Sequence, residues 1–244
     1  MNSIRTLIGL STVLLMIHPA DAGGLIQKLP KDGTWVTYHL EWKLFGPRAE
    51  NSEGTGTWTM RSVGTEMVDG KKCRWIEITE QLDAQAGEPK FERTCKFLIL
   101  EKALQSGKDP RKHTIRYWWK MENNDAKKHD GQEMSVQTVM FLHGRAESSK
   151  EIKLNKTVIY QRGEFKFEKA RSEKEIHRWQ HNGTQRVMSF QYTLWLNEKV
   201  PFGTAASKIE TRFTEEDEYL WTWIRKLSLS DFGTGAKSVL PDAK

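Results

Sequence analysis

Apolar and polar residues alternate with a period of two along much of the chain. The pattern is regular in segments 34–45, 187–196 and 204–213. Alternation of this kind is typical of a β-strand that packs one face on a core and exposes the other to water. The inward-facing positions that it predicts are Val36, Tyr38, Leu40, Trp42 and Leu44 in the first segment, Met188, Phe190, Tyr192, Leu194 and Leu196 in the second, and Ala205, Ile209 and Phe213 in the third.

Two dipeptides predict tight hairpins between neighbouring strands. Asp69-Gly70 and Asn182-Gly183 supply the positive φ angles that two-residue hairpin turns require. Further strands are predicted at 56–63, 71–82, 90–100, 113–121, 157–167, 175–181 and 219–229. We therefore expect about nine to eleven antiparallel strands.

Helix is scarce in the pattern. One short helix is expected around Glu101–Gln105, and the stretch GQEMSVQTVMFLHG (131–144) fits either a helix or a strand. A long antiparallel sheet with one polar face must bury its other face by curling or by taking a helical cover. The predicted fold is mainly β: a highly curved antiparallel sheet, half-barrel or barrel, with one or two short helices. It forms a single domain over residues 23–230, followed by a flexible C-terminal tail over 231–244.

The first residues have the pattern of a secretory signal peptide. An apolar run from Leu7 to Ile17 precedes the small-residue site Ala20-Asp21-Ala22. Because a membrane span needs about 20 apolar residues, this run is too short to be one. Residues 1–22 are therefore interpreted as a signal peptide, and the mature chain is expected in the periplasm or outside the cell, with no transmembrane segment.

The formal net charge is +6, and the excess is uneven. Between Lys102 and Lys128 there are eight Lys or Arg residues against three acidic residues. Such a region fits peripheral contact with an anionic membrane surface, or simply a solvated loop region. No nucleic-acid-binding motif is present, so a nucleic-acid partner is not expected.

Cys73 and Cys95 are the two cysteines of the chain, and an oxidising compartment permits a bridge between them. They lie on two strand-like segments that could pair as a hairpin, with both side chains on one face. A disulfide and two separate buried thiols remain as alternatives.

The sequence carries no recognisable motif for catalysis, cofactor binding or metal binding. His177 and His181 would lie about 13 Å apart on a strand, too far for one metal ion. No nucleophile motif or phosphate-binding loop is present. The acidic run 215–218 reads as a solvated turn between strands. We therefore assign no catalytic, cofactor-binding or metal-binding residue.

Ten tryptophans all fall on predicted strands, and some of them should line whatever the curved sheet encloses. The residues proposed to contact a ligand are Trp42, Trp195, Phe202, Trp221 and Trp223. Phe202 lies in the corner Val200-Pro201-Phe202-Gly203, where Pro201 and Gly203 favour a bend between two strands. That corner is interpreted mainly as scaffold.

Three stretches carry a resemblance to a known family. LWLNEKVPFGTAASKIE (194–210) resembles exported bacterial proteins related to the outer-membrane lipoprotein-sorting carriers. LPKDGTWVTYHLEW (29–42) and LSDFGTGAKSVL (229–240) are similar to uncharacterised secreted proteins of planctomycete-type bacteria. The resemblance implies a half-barrel of antiparallel strands around an apolar cavity that takes acyl chains.

Two functional hypotheses follow from these patterns. The preferred one is a secreted or periplasmic, non-enzymatic protein that binds an apolar or lipid-like ligand in a curved β-sheet, without a cofactor. The alternative is an extracellular enzyme that acts on an envelope polymer or polysaccharide through a carboxylate pair, with Glu41, Glu77 and Glu210 as first candidates. A core filled by its own side chains is a third possibility.

Overall fold

A computed structural model of the chain describes residues 25–84, 90–105, 110–121, 127–130 and 148–240. These residues form eleven strands, one short α-helix and one 3₁₀ helix. The strands are β1 (Thr34–Gly46), β2 (Ala49–Val68), β3 (Lys71–Leu82), β4 (Phe91–Leu100), β5 (Thr114–Met121), β6 (Lys127–Asp130), β7 (Ser148–Tyr160), β8 (Gly163–His181), β9 (Thr184–Leu196), β10 (Thr204–Glu215) and β11 (Glu218–Thr234). The α-helix α1 spans Glu101–Gln105, and the 3₁₀ helix spans Pro110–His113.

All eleven strands belong to one sheet, in the order β6-β5-β4-β3-β2-β1-β11-β10-β9-β8-β7. Every neighbouring pair is antiparallel. Each pair is also consecutive in sequence except β1 and β11, which join the two halves. Two meanders therefore meet at the pairing of the first strand with the last, and the predicted mainly β, antiparallel fold is confirmed.

The sheet curls strongly but does not close by pairing its edge strands β6 and β7. The backbone N–H of Gln161, in the turn between β7 and β8, donates to the carbonyl of Ser230 on β11 at 2.9 Å. At another point Arg111, between β4 and β5, pairs with Glu175 on β8. These contacts join parts of the sheet that lie several strands apart, as a half-closed barrel requires.

The inner face of the curl carries the main hydrophobic core. Its buried side chains alternate along the strands as the pattern predicts, because successive residues of a strand point to opposite faces. The buried set includes Val36, Tyr38, Leu40, Trp58, Met60, Ile76, Ile78, Phe97, Phe190, Tyr192, Leu194 and Ile209. The phenol of Tyr38 donates to the carbonyl of Thr204 at 2.8 Å, which satisfies its hydroxyl inside this core.

The outer face is polar over β1, β2, β10 and β11, and the C-terminal segment covers part of it over β3. β11 continues to Thr234, and Leu240 is buried. The hydroxyl of Ser238 donates to the carboxylate of Glu77 at 2.6 Å. The prediction of a flexible tail beginning at residue 231 is therefore wrong for residues 231–240, because strand pairing and Glu77 hold them. Residues 241–244 lie outside the described part.

Both predicted hairpin turns are confirmed. Asp69 and Gly70 have φ values of 49° and 70°, and Asn182 and Gly183 have φ values of 52° and 81°. The predicted single strand 157–167 is wrong, since the chain turns at residues 161–162 and continues as β8. That turn contains no Asn-Gly or Asp-Gly pair, and apolar alternation runs on both sides of it, so the pattern resembles one strand.

The short helix around residues 101–105 is confirmed as α1. The ambiguous stretch 131–144 and the signal-peptide segment 1–22 lie outside the described residues. Among the described residues, no helix has the length and apolar character needed to cross a membrane.

Cys73 and Cys95 are both buried and free, which corrects the disulfide alternative. Cys95 pairs in register with Ile78 on the inner face, whereas Cys73 pairs with Leu100 on the outer face. Because the two positions have opposite parity relative to the sheet, their side chains point away from each other. The expectation that both could share a face is wrong, and the chain has two separate thiols.

Candidate functional site

The five residues predicted to contact a ligand lie at two ends of the sheet. Trp42 on β1 faces Arg225 of β11 in register, and Trp223 and Trp221 follow on β11 toward the same end. Trp195 is near the end of β9, and Phe202 lies beyond it in the loop to β10. The structure therefore brings together three of the five and separates two from them.

Phe202 is part of the scaffold. Its side chain is completely buried in the core, and its carbonyl accepts a hydrogen bond from the N–H of Gln27 at 2.9 Å. Gly203 has a φ of 87°, and a Cβ there would lie 3.0 Å from the Cβ of Gln27. The corner is thus a bend held against the segment that precedes β1, and the ring of Phe202 plugs a filled core.

Trp195 points to the outer face, since it alternates with the inward-facing Leu194. Its indole N–H donates to the carbonyl of Leu154 on β7 at 3.2 Å, and the ammonium of Lys156 lies 5.2 Å from its ring. These contacts span from β9 to β7 and account for its burial. Trp195 therefore does not line the inner face.

Three half-buried rings stack along one end of the inner face. Trp179 of β8 lies 5.9 Å from Phe213 of β10, and Phe213 lies 5.2 Å from Trp221 of β11, as ring-centroid distances. We call these three residues the aromatic ledge. It forms a continuous apolar surface across strands that the core residues leave partly open to water.

Arg225 lies deep beside this ledge, with 1% of its surface exposed. Its guanidinium carbon is 4.5 Å from the ring of Trp223 and 5.6 Å from the ring of Trp58. None of its three nitrogens has a hydrogen-bond partner among the described residues. Stacking on indole faces attracts the cation but leaves its in-plane N–H groups without acceptors.

Glu80 and Arg93 form an ion pair near Trp223 and Arg225. Arg93 Nε is 2.5 Å from Glu80 Oε2, and the Arg93 guanidinium lies 6.0 Å from the ring of Trp223. Burial lowers the pKa of Arg225 to about 10, while the nearby Glu80 carboxylate acts in the opposite direction. At neutral pH Arg225 is therefore still charged, and one carboxylate faces two guanidinium groups.

Two glycines on β2 leave this part of the inner face without side chains. Gly54 pairs with Trp42, and Gly56 pairs with Leu40. A Cβ on Gly56 would lie 2.1 Å from the carbonyl oxygen of Gln81, so β3 approaches too closely for any other residue. Arg225 can therefore reach past β1 to the ring of Trp58.

A second buried polar group lies on β8 and is internally satisfied. Arg111 Nη2 is 2.7 Å from Glu175 Oε1, and Arg111 Nη1 is 2.7 Å from His177 Nε2. The phenol of Tyr192 donates to Glu175 Oε2 at 3.3 Å. Burial, and next the Glu175 charge, raise the pKa of Tyr192, so its phenol stays protonated as a donor. This group is interpreted as structural.

The carboxylates considered for catalysis do not share a cleft. Glu77 is buried beneath the C-terminal segment, where it accepts bonds from Ser238 and from the backbone N–H of Val239 and Leu240. Glu41 and Glu210 lie on the polar outer face, each beside a lysine. The geometry does not favour the enzyme alternative.

The described residues form two open pockets but no cluster of metal ligands. Within the described ranges, no group of three or more His, Cys, Asp or Glu residues could hold a metal ion. An open pocket of about 310 Å³ lies over β1, β2 and β11, and another of about 480 Å³ lies over β7 and β8. Most of the residues that line both pockets are charged or polar, with Trp42 at the edge of the first pocket, and both pockets are widely open to solvent.

Sequence reasoning missed Arg225 and Glu80. A signal was present in the segment WTWIRKL, where Arg225 shares the parity of the inward-facing Trp221 and Trp223. Glu80 likewise shares the parity of Ile76 and Ile78. A charged residue in phase with an apolar strand face indicates a buried charge, which is rare unless paired or functional.

The chain has a weak likeness to a known structure. No protein-family model matches the chain, and no curated protein matches it. Among solved structures, the chain is similar to the crystal structure of the LolA superfamily protein NE2245 from Nitrosomonas europaea, with 8% identity and a TM-score of 0.28. The match covers 88% of this chain and 90% of the other.

Proposed function

We propose that this chain is an exported, non-enzymatic protein that binds an apolar or lipid-like ligand at the aromatic end of its curved sheet. The observation that carries this proposal is the aromatic ledge, three half-buried rings stacked across β8, β10 and β11. Trp42 and Trp223 lie beside it and are also partly open to water.

The energetic argument concerns the ledge's exposed apolar surface. Burial of apolar area is favourable by roughly 25 cal/mol per Å², so an acyl chain lying along several rings gains binding free energy from desolvation. Stacked rings also form a flat, rigid surface that loses little side-chain entropy when a ligand binds. The proposed mechanism is therefore desolvation of an acyl chain against preformed aromatic walls.

The packed core favours the end of the sheet as the position of a ligand. Tyr38, Phe190, Tyr192 and Phe202 are completely or almost completely buried and fill the inner face toward the Phe202 corner. An acyl chain that entered there would have to displace close-packed side chains, which is costly. The ledge end has half-buried rings instead, so it is the part of the inner face that fits a ligand.

The proposed location follows from the sequence. Residues 1–22 have the pattern of a signal peptide. A protein that binds lipid-like molecules in the periplasm or outside the cell would meet anionic membrane surfaces, and the net charge of +6 favours such contact. Peripheral contact of this kind would bring the ledge near its ligands.

The first experiment asks whether the mature protein binds a lipid-like molecule. The chain lacking residues 1–22 is purified from an exported preparation, examined by native mass spectrometry and extracted for lipids. It is then delipidated and titrated with brominated fatty acid while tryptophan fluorescence is followed. We expect a bound acyl compound in the first measurement and saturable quenching in the second.

Two variants test whether the ligand binds at the aromatic ledge. Trp221→Ala should weaken quenching because it removes the end of the ledge, whereas Trp195→Phe, on the outer face, should leave the affinity unchanged. Absence of bound lipid together with absence of quenching would overturn the proposal. Equal effects of the two variants would overturn the assignment to the ledge.

A further inference from the structure

Four donor groups without acceptors lie close together in the fold at the inner end of the ledge. The guanidinium of Arg225, the indole N–H of Trp42, the indole N–H of Trp223 and the hydroxyl of Thr211 are buried and have no hydrogen-bond partner among the described residues. Trp42 is opposite Arg225 in register, and Thr211 is opposite Trp223. Three of these groups can only donate, so what they lack is an acceptor.

The charges in this region favour an anion. Glu80 is completely buried; its Oε2 pairs closely with Arg93, and its Oε1 has no hydrogen-bond partner among the described residues. Arg225 adds a second positive charge without a hydrogen-bonded carboxylate of its own. A buried cation is costly unless an opposite charge pairs with it. The three described side chains of Glu80, Arg93 and Arg225 together carry one net positive charge.

The side chains around this group are partly open to solvent on the side of the ledge. Trp42 and Trp223 are only half-buried, and the Arg93 side chain is 15% exposed. A chain lying along the ledge from Phe213 and Trp221 would end next to Trp223 and Arg225, which are two residues apart on β11. The acyl part and the charged end of one molecule would thus meet adjacent surfaces.

The geometry points to Arg225 as an anion-binding residue that receives the headgroup of an acyl ligand, with Trp42, Trp223 and Thr211 as further donors. The ligand class is a singly charged amphiphile whose carboxylate or phosphate oxygens accept from the guanidinium edge. Two oxygens of a carboxylate match the fork of an arginine. This inference rests on the proposed function, because the ledge supplies the site for the acyl chain.

The experiment compares ligands that share a chain and differ in charge. The delipidated mature protein is titrated at pH 8 with laurate and with 1-dodecanol, and separately with acetate and with inorganic phosphate. Laurate should bind more tightly than dodecanol by about tenfold or more, as expected for a charge-assisted hydrogen bond. Acetate and phosphate, which lack the chain, should bind far more weakly than laurate.

Three variants test whether Arg225 is the residue that recognises the charged headgroup. Arg225→Met keeps a long apolar side chain and should remove the preference for laurate while leaving dodecanol binding. Arg212→Met, an exposed arginine of β10 on the outer face, serves as the control and should keep the preference. Arg225→Lys retains the charge without the fork and should give an intermediate preference.

The outcomes separate this inference from the proposed function. Equal affinity of the wild-type protein for laurate and dodecanol overturns the anion-binding role but leaves the ledge as a lipid site. Binding of neither ligand overturns both. If acetate or phosphate binds as tightly as laurate, the inference that the ligand is an amphiphile is overturned. The group around Arg225 is then a site for small anions. If Arg225→Met does not fold, the comparison of laurate with dodecanol in the wild-type protein still tests the inference. The preference of Arg225→Lys for laurate provides the second test.

Discussion

Arg111 Nη2 lies 2.7 Å from Glu175 Oε1, although six strands separate β4, which precedes Arg111, from β8, which carries Glu175. The two side chains are largely buried, at 13% and 3% exposure. This ion pair therefore ties two distant parts of the curled sheet to each other.

Breaking that ion pair should destabilise the fold strongly. Arg111→Met leaves a buried carboxylate without its guanidinium partner, and removing one member of a buried pair typically costs about 3–5 kcal/mol. Urea denaturation followed by tryptophan fluorescence measures the change. The matched control is Arg48→Met, because Arg48 pairs with Glu218 at 3.3 Å on the open surface. That change should cost at most about 1 kcal/mol. Similar losses in both variants would contradict the role of the Arg111 pair.

Phe202→Ala should also destabilise the protein, because its ring is completely buried in the core. Phenylalanine-to-alanine changes in cores cost about 3–5 kcal/mol through lost transfer free energy and a residual cavity. Ile159→Ala is the comparison, since Ile159 is 75% exposed. Its effect on the unfolding free energy should stay within about 0.5 kcal/mol. A small loss of unfolding free energy in Phe202→Ala would mean that the Phe202 ring does not fill the core.

Both cysteines should remain reduced in protein isolated from an oxidising compartment. Intact-mass measurement without reductant should give the mass of the dithiol form. Burial raises the pKa of Cys95 to about 12, and burial is also the largest cause that raises the pKa of Cys73. Because the thiolate is the reactive form, neither thiol should react with iodoacetamide at pH 8 until the protein is unfolded. A mass lower by two hydrogens would show a bridge and contradict the register of β3 and β4.

The raised pKa of Cys95 has a consequence for stability at high pH. In the unfolded chain the thiol loses its proton at about its ordinary pKa, whereas in the folded protein it keeps the proton up to about pH 12. Between these values the folded state binds more protons, so stability should fall as the pH rises. Cys95→Ala should flatten this part of the profile of unfolding free energy against pH. An unchanged slope would show that Cys95 contributes nothing to it.

Ser238→Ala should loosen the C-terminal segment. The Ser238 hydroxyl donates to the buried Glu77 carboxylate at 2.6 Å, and a hydrogen bond to a charged group contributes about 1.5–3 kcal/mol. Hydrogen exchange of the Val239 and Leu240 amides, which also donate to Glu77, should become faster. Ser230→Ala, an exposed position on β11, is the control and should leave these amides protected. Unchanged exchange in Ser238→Ala would show that the backbone donors alone hold the segment.

Much of the secondary structure could be predicted from local sequence patterns. The alternation in 34–45 and 187–196 defined strands β1 and β9, and Asp69-Gly70 and Asn182-Gly183 defined two turns. These signals are local, because alternation reflects neighbouring side chains and a positive φ is a property of single residues. Where the local signal was absent, at residues 161–162, the prediction joined two strands into one.

The candidate site was predicted only in part. Trp42, Trp221 and Trp223 were expected to contact a ligand and lie together, whereas Trp195 and Phe202 look the same by residue type but serve packing. Arg225 was not singled out at all, although its parity on β11 agrees with the inner face. Residue type alone cannot separate a ring in the core from a ring at the open end of a sheet.

The sequence by itself determined the β-rich class, most of the strands, the positions of two hairpin turns and the side of each strand that is apolar. Each of these depends on interactions over a few residues. The tertiary structure decided which ends of the inner face are filled, which face each cysteine takes and where the chain's last residues dock. Those outcomes depend on the pairing of β1 with β11 and on the curl that brings Arg111 to Glu175. Contacts between residues far apart in sequence are set by the packing of the whole sheet, and no local pattern encodes them.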